Sequence, residues 1–90
     1  MREAVRVLIE GRVQGVGFRY FAQDAAMQLR LTGWVRNLPN GAVEAYAEGR
    51  RSDLETWVAH IRQGPPLSRV EAVDASWQIP QGTAPTFTVR

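Results

Sequence analysis

Thr32-Gly33-Trp34-Val35-Arg36-Asn37-Leu38-Pro39-Asn40-Gly41-Ala42-Val43-Glu44-Ala45-Tyr46-Ala47-Glu48 is the stretch on which the fold turns. Thr32 to Asn37, with Trp34 and Val35 at its centre, has the composition of a strand. Leu38-Pro39-Asn40-Gly41 is a turn by its proline and its Asn-Gly pair. In the return segment, Ala42 to Glu48, Val43, Ala45 and Ala47 alternate with Glu44, Tyr46 and Glu48, the period of a second strand. The pattern predicts a β-hairpin.

Outward from the hairpin, the periodicity changes on both sides. Upstream, Phe18, Phe21, Ala22, Ala25 and Leu29 recur at three- and four-residue spacing, which predicts an amphipathic helix. Downstream, Ser52-Asp53-Leu54-Glu55 has the form of a capping box, in which the Ser52 hydroxyl and Glu55 carboxylate would each satisfy a free N–H. The Leu54, Trp57, Val58 and Ile61 stripe continues that second helix until Gly64-Pro65-Pro66 stops it. One step further out, Ala4 to Gly11 alternates with Val5, Val7 and Ile9 on one face, and Leu67 to Trp77 alternates again. Each predicts a strand. Pro80, Gly82 and Pro85 mark a loop, and Thr86 to Arg90 predicts a short fifth strand at an edge.

The order strand, helix, strand, strand, helix, strand predicts an α+β fold of the ferredoxin-like split βαβ type: an antiparallel sheet of four to five strands with two helices on one face. Ninety residues correspond to a single domain, 1–90, with a compact and simple core. With 44% hydrophobic and 22% charged residues, the composition is that of an ordinary soluble globular protein. No apolar run approaches the roughly 20 residues that span a bilayer, and Met1-Arg2-Glu3-Ala4 does not open a signal peptide. The expectation is a cytoplasmic monomer without membrane or nucleic-acid partners. The absence of cysteine excludes disulfides, thiolate metal sites and cysteine nucleophiles. The pI of 9.9 reflects a net charge of only +2, a weak argument for nucleic acid.

In the expected topology strands one and two run parallel with strand three between them, so their C-terminal ends share an edge of the sheet. Gly11-Arg12-Val13-Gln14-Gly15-Val16-Gly17 leaves one end, and Asn37 stands at the other, two spacings of about 4.8 Å away. Consecutive N–H groups of a glycine-rich loop beside a helix start form a concave, partly positive nest for an anion. Arg19 falls in the first helical turn, where a cation is disfavoured by the dipole unless an anion is bound there. Its guanidinium can grip two phosphate oxygens at once. Spacing alone also fits a loop that merely turns the chain beside a solvated arginine.

The segments Gly11-Arg12-Val13-Gln14-Gly15-Val16-Gly17-Phe18-Arg19 and Gly33-Trp34-Val35-Arg36-Asn37 through Gly41 resemble the two signatures of the acylphosphatases, in the same order and over nearly the whole chain. The resemblance implies hydrolysis of carboxyl-phosphate mixed anhydrides, small-molecule acyl phosphates, with no metal or other cofactor. It implies a phosphate cradle of Gln14, Gly15, Val16, Gly17 and Phe18 with Arg19, and a water positioned by Asn37. Where many members carry a small hydroxyl residue after the asparagine, this chain has Leu38. Other side chains read as structural: Asp24 and Glu48 as solvated carboxylates, His60 as a surface or satisfied structural residue, the three tryptophans Trp34, Trp57 and Trp77 as core or partly buried packing, and Arg50-Arg51 as a solvated turn. The alternatives are a non-catalytic phosphate- or RNA-binding module of the same fold, for which strand three offers only Tyr46 as a stacking surface, and one domain of a larger carbamoyl-phosphate-handling machine, which a chain of this length does not favour.

Overall fold

The computed structural model describes residues 2–82 and 85–90. Met1, and Thr83 and Ala84 within the loop expected from Pro80 to Pro85, lie outside the described residues. The elements are β1 (Glu3–Arg12), α1 (Phe18–Gln28), β2 (Thr32–Asn37), β3 (Val43–Gly49), α2 (Arg51–Gln63), β4 (Arg69–Gln78) and β5 (Phe87–Val89). They form a sheet in the order β4-β1-β3-β2-β5. Because β3 pairs antiparallel with both β1 and β2, those two strands run parallel, and Arg12 and Asn37 end on the same edge. This is the ferredoxin-like arrangement read from the sequence.

The sheet is mixed rather than wholly antiparallel, since β5 pairs in parallel with β2. The chain leaves β4 at the end of the sheet where β2 begins. Crossing from there to the far edge, it can only run alongside β2 in the same direction.

Val5, Val7 and Ile9 of β1, Val35 of β2 and Val43, Ala45 and Ala47 of β3 face the helices and are buried with Leu54, Trp57, Val58 and Ile61 of α2. Each fully buried large aliphatic or aromatic side chain is worth about 1.5–3 kcal/mol. Trp57 ties the layers together: its Nε1–H donates to the Ala22 carbonyl at 3.1 Å, and its ring meets Phe87 edge-on at 5.8 Å. On α1 the buried residues are Phe18, Ala22 and Ala26, with Phe21, Ala25 and Leu29 only half-buried, so the core stripe lies slightly rotated from the expected one.

Four local expectations are corrected. Glu48 is not a solvated carboxylate but 2% exposed, because the segment after β4 passes over the sheet face opposite the helices. Its Oε2 accepts from the Tyr46 hydroxyl at 2.6 Å and from the Gln81 and Gly82 N–H groups at 2.8 Å each. Glu44 on the same face is equally buried and takes charged hydrogen bonds from Arg6 and Arg36. Burial alone would raise both carboxyls, but these donors outweigh it and hold Glu44 and Glu48 below the ordinary carboxylate range.

The capping box does not form: α2 begins at Arg51, and no side chain caps its N-terminus. Glu55 instead accepts from Arg51 Nε at 3.2 Å, and an adjacent cation is a better partner for a carboxylate than a neutral N–H. Arg51 is therefore no solvated turn residue; it also pairs with Glu3 and stacks on the Trp77 ring at 3.5 Å. Trp77 is 38% exposed on the edge strand β4, so it covers the sheet margin rather than the core.

Candidate active site

The cleft is built where β1 hands the chain to α1. Val13 is buried and anchors the loop from below. Gly15 and Gly17 then take left-handed conformations, with φ of 72° and 79°. A Cβ at either would meet nothing within 4 Å, so backbone conformation rather than space demands glycine here. Left-handed residues in such close succession turn N–H groups toward one side, which is the geometry of an anion nest.

Gly17 is also the N-cap of α1, with no side-chain cap and no acidic residue in the first turn. The N–H groups of the first turn have no intrahelical acceptors, and their partial positive charge is not compensated by a carboxylate. Arg19 stands in that same turn, where its Nη1 donates to the Arg90 backbone oxygen at 2.7 Å. This contact holds the guanidinium beside the loop against the repulsion of the dipole.

Asn37, the last residue of β2, comes from the neighbouring strand end. Its Oδ1 is buried and has no hydrogen-bond partner among the described residues. A buried, unmatched acceptor costs on the order of 1–3 kcal/mol, so this oxygen is open to a hydrogen bond from a bound water or ligand. Val13, Gly15, Gly17, Phe18, Arg19, Tyr20 and Asn37 together line a cleft of about 100 Å³.

The structure thus brings Gly15, Gly17, Phe18, Arg19 and Asn37 of the expected set to one place. Gln14 and Val16 flank it without lining it. Gln14 Nε2 turns away and donates to the Leu38 and Ala42 carbonyls at 2.7 and 2.9 Å, joining the loop to the hairpin that carries Asn37. Val16 packs against the core. Leu38, whose missing hydroxyl set this chain apart, contributes its backbone oxygen to that brace. Sequence reasoning missed Val13, Tyr20 and the bracing role of Gln14; only the exposed helical position of Tyr20, next to Arg19, gave a signal in advance.

Two of the larger clefts suit an anion less. One of about 380 Å³ is lined by Glu10 and Glu71 as well as Arg12. The other, about 350 Å³ between the helices, holds His60 and Asp24, both exposed as expected. Among the described residues no three His, Cys, Asp or Glu side chains cluster as a metal site requires.

Fold and cleft define a class: small α+β sheet domains with a cleft where a left-handed glycine loop enters a helix. Comparison with known proteins narrows this. The acylphosphatase family model matches residues 5–89. The chain is 50% identical to an acylphosphatase of Syntrophotalea carbinolica, over 96% of this chain and 94% of that protein. It is 54% identical to one from Thermus thermophilus, over 78% and 80% respectively. The crystal structure of acylphosphatase from Bacillus subtilis superposes with a TM-score of 0.94 at 37% identity, covering 100% of this chain and 99% of that one. The chain belongs to the acylphosphatase family, and with it to the hydrolases acting on acid anhydrides.

Proposed function

We propose that residues 1–90 act as one catalytic unit, a monomer that hydrolyses small-molecule acyl phosphates to a carboxylate and inorganic phosphate in the cytoplasm. The phosphate sits in the nest of the Gln14 to Phe18 loop, against Gly15, Gly17 and Phe18, which line the cleft, and is gripped by Arg19. The Asn37 Oδ1 accepts a hydrogen bond from a water and holds it in line with the scissile bond. Attack by the water oxygen forms a new P–O bond as the bond to the acyl oxygen breaks, and the carboxylate leaves with that electron pair. The proton released goes to solvent or to the product phosphate.

A carboxylate is a good leaving group, so the reaction asks little proton transfer of the protein. The demand is for orientation and for charge stabilisation across the equatorial oxygens, which preorganised N–H groups and a guanidinium supply. The observation that carries this reading is the buried Asn37 Oδ1, without a partner among the described residues, in the same small cleft as Arg19 and the left-handed glycines.

The test is hydrolysis of benzoyl phosphate in excess chelator. Wild-type protein is expected to turn it over, and Arg19→Gln to lose about 100- to 1000-fold in kcat with an unchanged melting temperature. An Arg19→Gln protein that keeps most of its turnover would refute the assignment. Wild-type inactivity with intact phosphate binding would favour a non-catalytic phosphate-binding module.

A further inference from the structure

The cleft of about 100 Å³ accommodates a group the size of phosphate, so the acyl part of any substrate must extend over its rim. Tyr20 stands on that rim. It is 65% exposed, and among the described residues it is the one large exposed hydrophobic that lines this cleft. An exposed tyrosine by itself means little, since scattered apolar side chains are ordinary on protein surfaces. Its position is what matters here.

Tyr20 lies off the Phe18, Ala22, Ala26 stripe by which α1 joins the core, so packing does not explain it. Helical side chains tilt toward the N-terminus of their helix, and in the first turn of α1 that direction leads over the Gly15–Gly17 loop. An aromatic side chain thereby stands next to the point where a phosphate-bound acyl group must emerge.

We propose that Tyr20 is a specificity residue, a platform on which the acyl group of the substrate packs, giving preference for aromatic and large apolar acyl phosphates over small ones. The inference rests on the site reading above. Aromatic pairing adds to area burial when two rings meet, whereas a methyl group covers little of the ring.

The experiment measures kcat/KM for benzoyl phosphate and acetyl phosphate with wild type, Tyr20→Ala, Tyr20→Phe and Arg19→Gln, together with competitive inhibition by inorganic phosphate. Tyr20→Ala is expected to lose about tenfold with benzoyl phosphate and less than about twofold with acetyl phosphate. Tyr20→Phe should retain the wild-type preference, and phosphate inhibition should not change in either variant. An unchanged benzoyl-to-acetyl ratio in Tyr20→Ala, or an equal loss on both substrates, overturns the platform and leaves the phosphate site standing. Arg19→Gln separates the two ideas: if it still hydrolyses acetyl phosphate at the wild-type rate, the site reading falls and takes the platform with it.

Discussion

Asn37 concentrates the conflict between stability and function in a single side chain. Its Oδ1 is buried without a partner among the described residues, an arrangement that weakens the fold on its own. Replacing it with alanine removes the unmatched acceptor together with the proposed water ligand. Asn37→Ala is therefore expected to melt no lower than wild type, while kcat on benzoyl phosphate falls about 100-fold or more; calorimetry and steady-state kinetics on the same sample check both halves. A variant that loses stability and activity together would mark Asn37 as a structural residue. Arg19 is the milder case, because the Arg90 oxygen already accepts from its guanidinium at 2.7 Å. That contact could not be read from the sequence, since it joins residues 71 positions apart.

Among the elements, the loop before α1 and the hairpin after it are tied together by Gln14. Its carboxamide donates to Leu38 and Ala42 across 24 and 28 residues of sequence. Gln14→Ala removes two hydrogen bonds, each worth about 0.5–1.5 kcal/mol net, so a loss of about 1–3 kcal/mol is expected. It also frees the nest to shift relative to Asn37, and misplacement of reacting groups by about 1 Å can cost up to about 100-fold in rate. Urea denaturation and kcat should both respond; full activity in a destabilised Gln14→Ala would separate the brace from catalysis. The failed capping box at Ser52-Asp53-Leu54-Glu55 teaches the converse. A motif read from spacing assumes that its side chains have no better partner, and Arg51 supplies one to Glu55.

Over the whole molecule, charge placement on the sheet face opposite the helices sets the response to acid. Glu44 and Glu48 are buried and held below the ordinary carboxylate value of 4.5 by their donors. A folded pKa below the unfolded one means that the charged form favours the folded state. This contribution is complete above the unfolded value and is lost as pH falls through the lower, folded value. The melting temperature is thus expected to decline as pH drops below about 4.5. In Glu44→Gln that decline should be shallower, even though the variant starts less stable at pH 7, where Arg6 and Arg36 have lost their charged partner. A titration slope identical to wild type would show that Glu44 does not contribute.

The order of elements, the hairpin, the alternating core positions of β1 and β3 and the glycine loop that precedes Arg19 were all legible in the chain, because they depend on contacts between residues close in sequence and on local backbone preferences. Burial on the second face of β3 was not. Glu44 and Glu48 alternate as solvent-facing residues do, but Glu44 is enclosed by Arg6 and Arg36 of the neighbouring strands and Glu48 by the Gln81–Gly82 segment that returns over the sheet. The same holds for the parallel pairing of β5, the stacking of Arg51 on Trp77 and the brace from Gln14 to the hairpin. These depend on where distant segments pass one another in space, and hydrophobic periodicity carries no information about that.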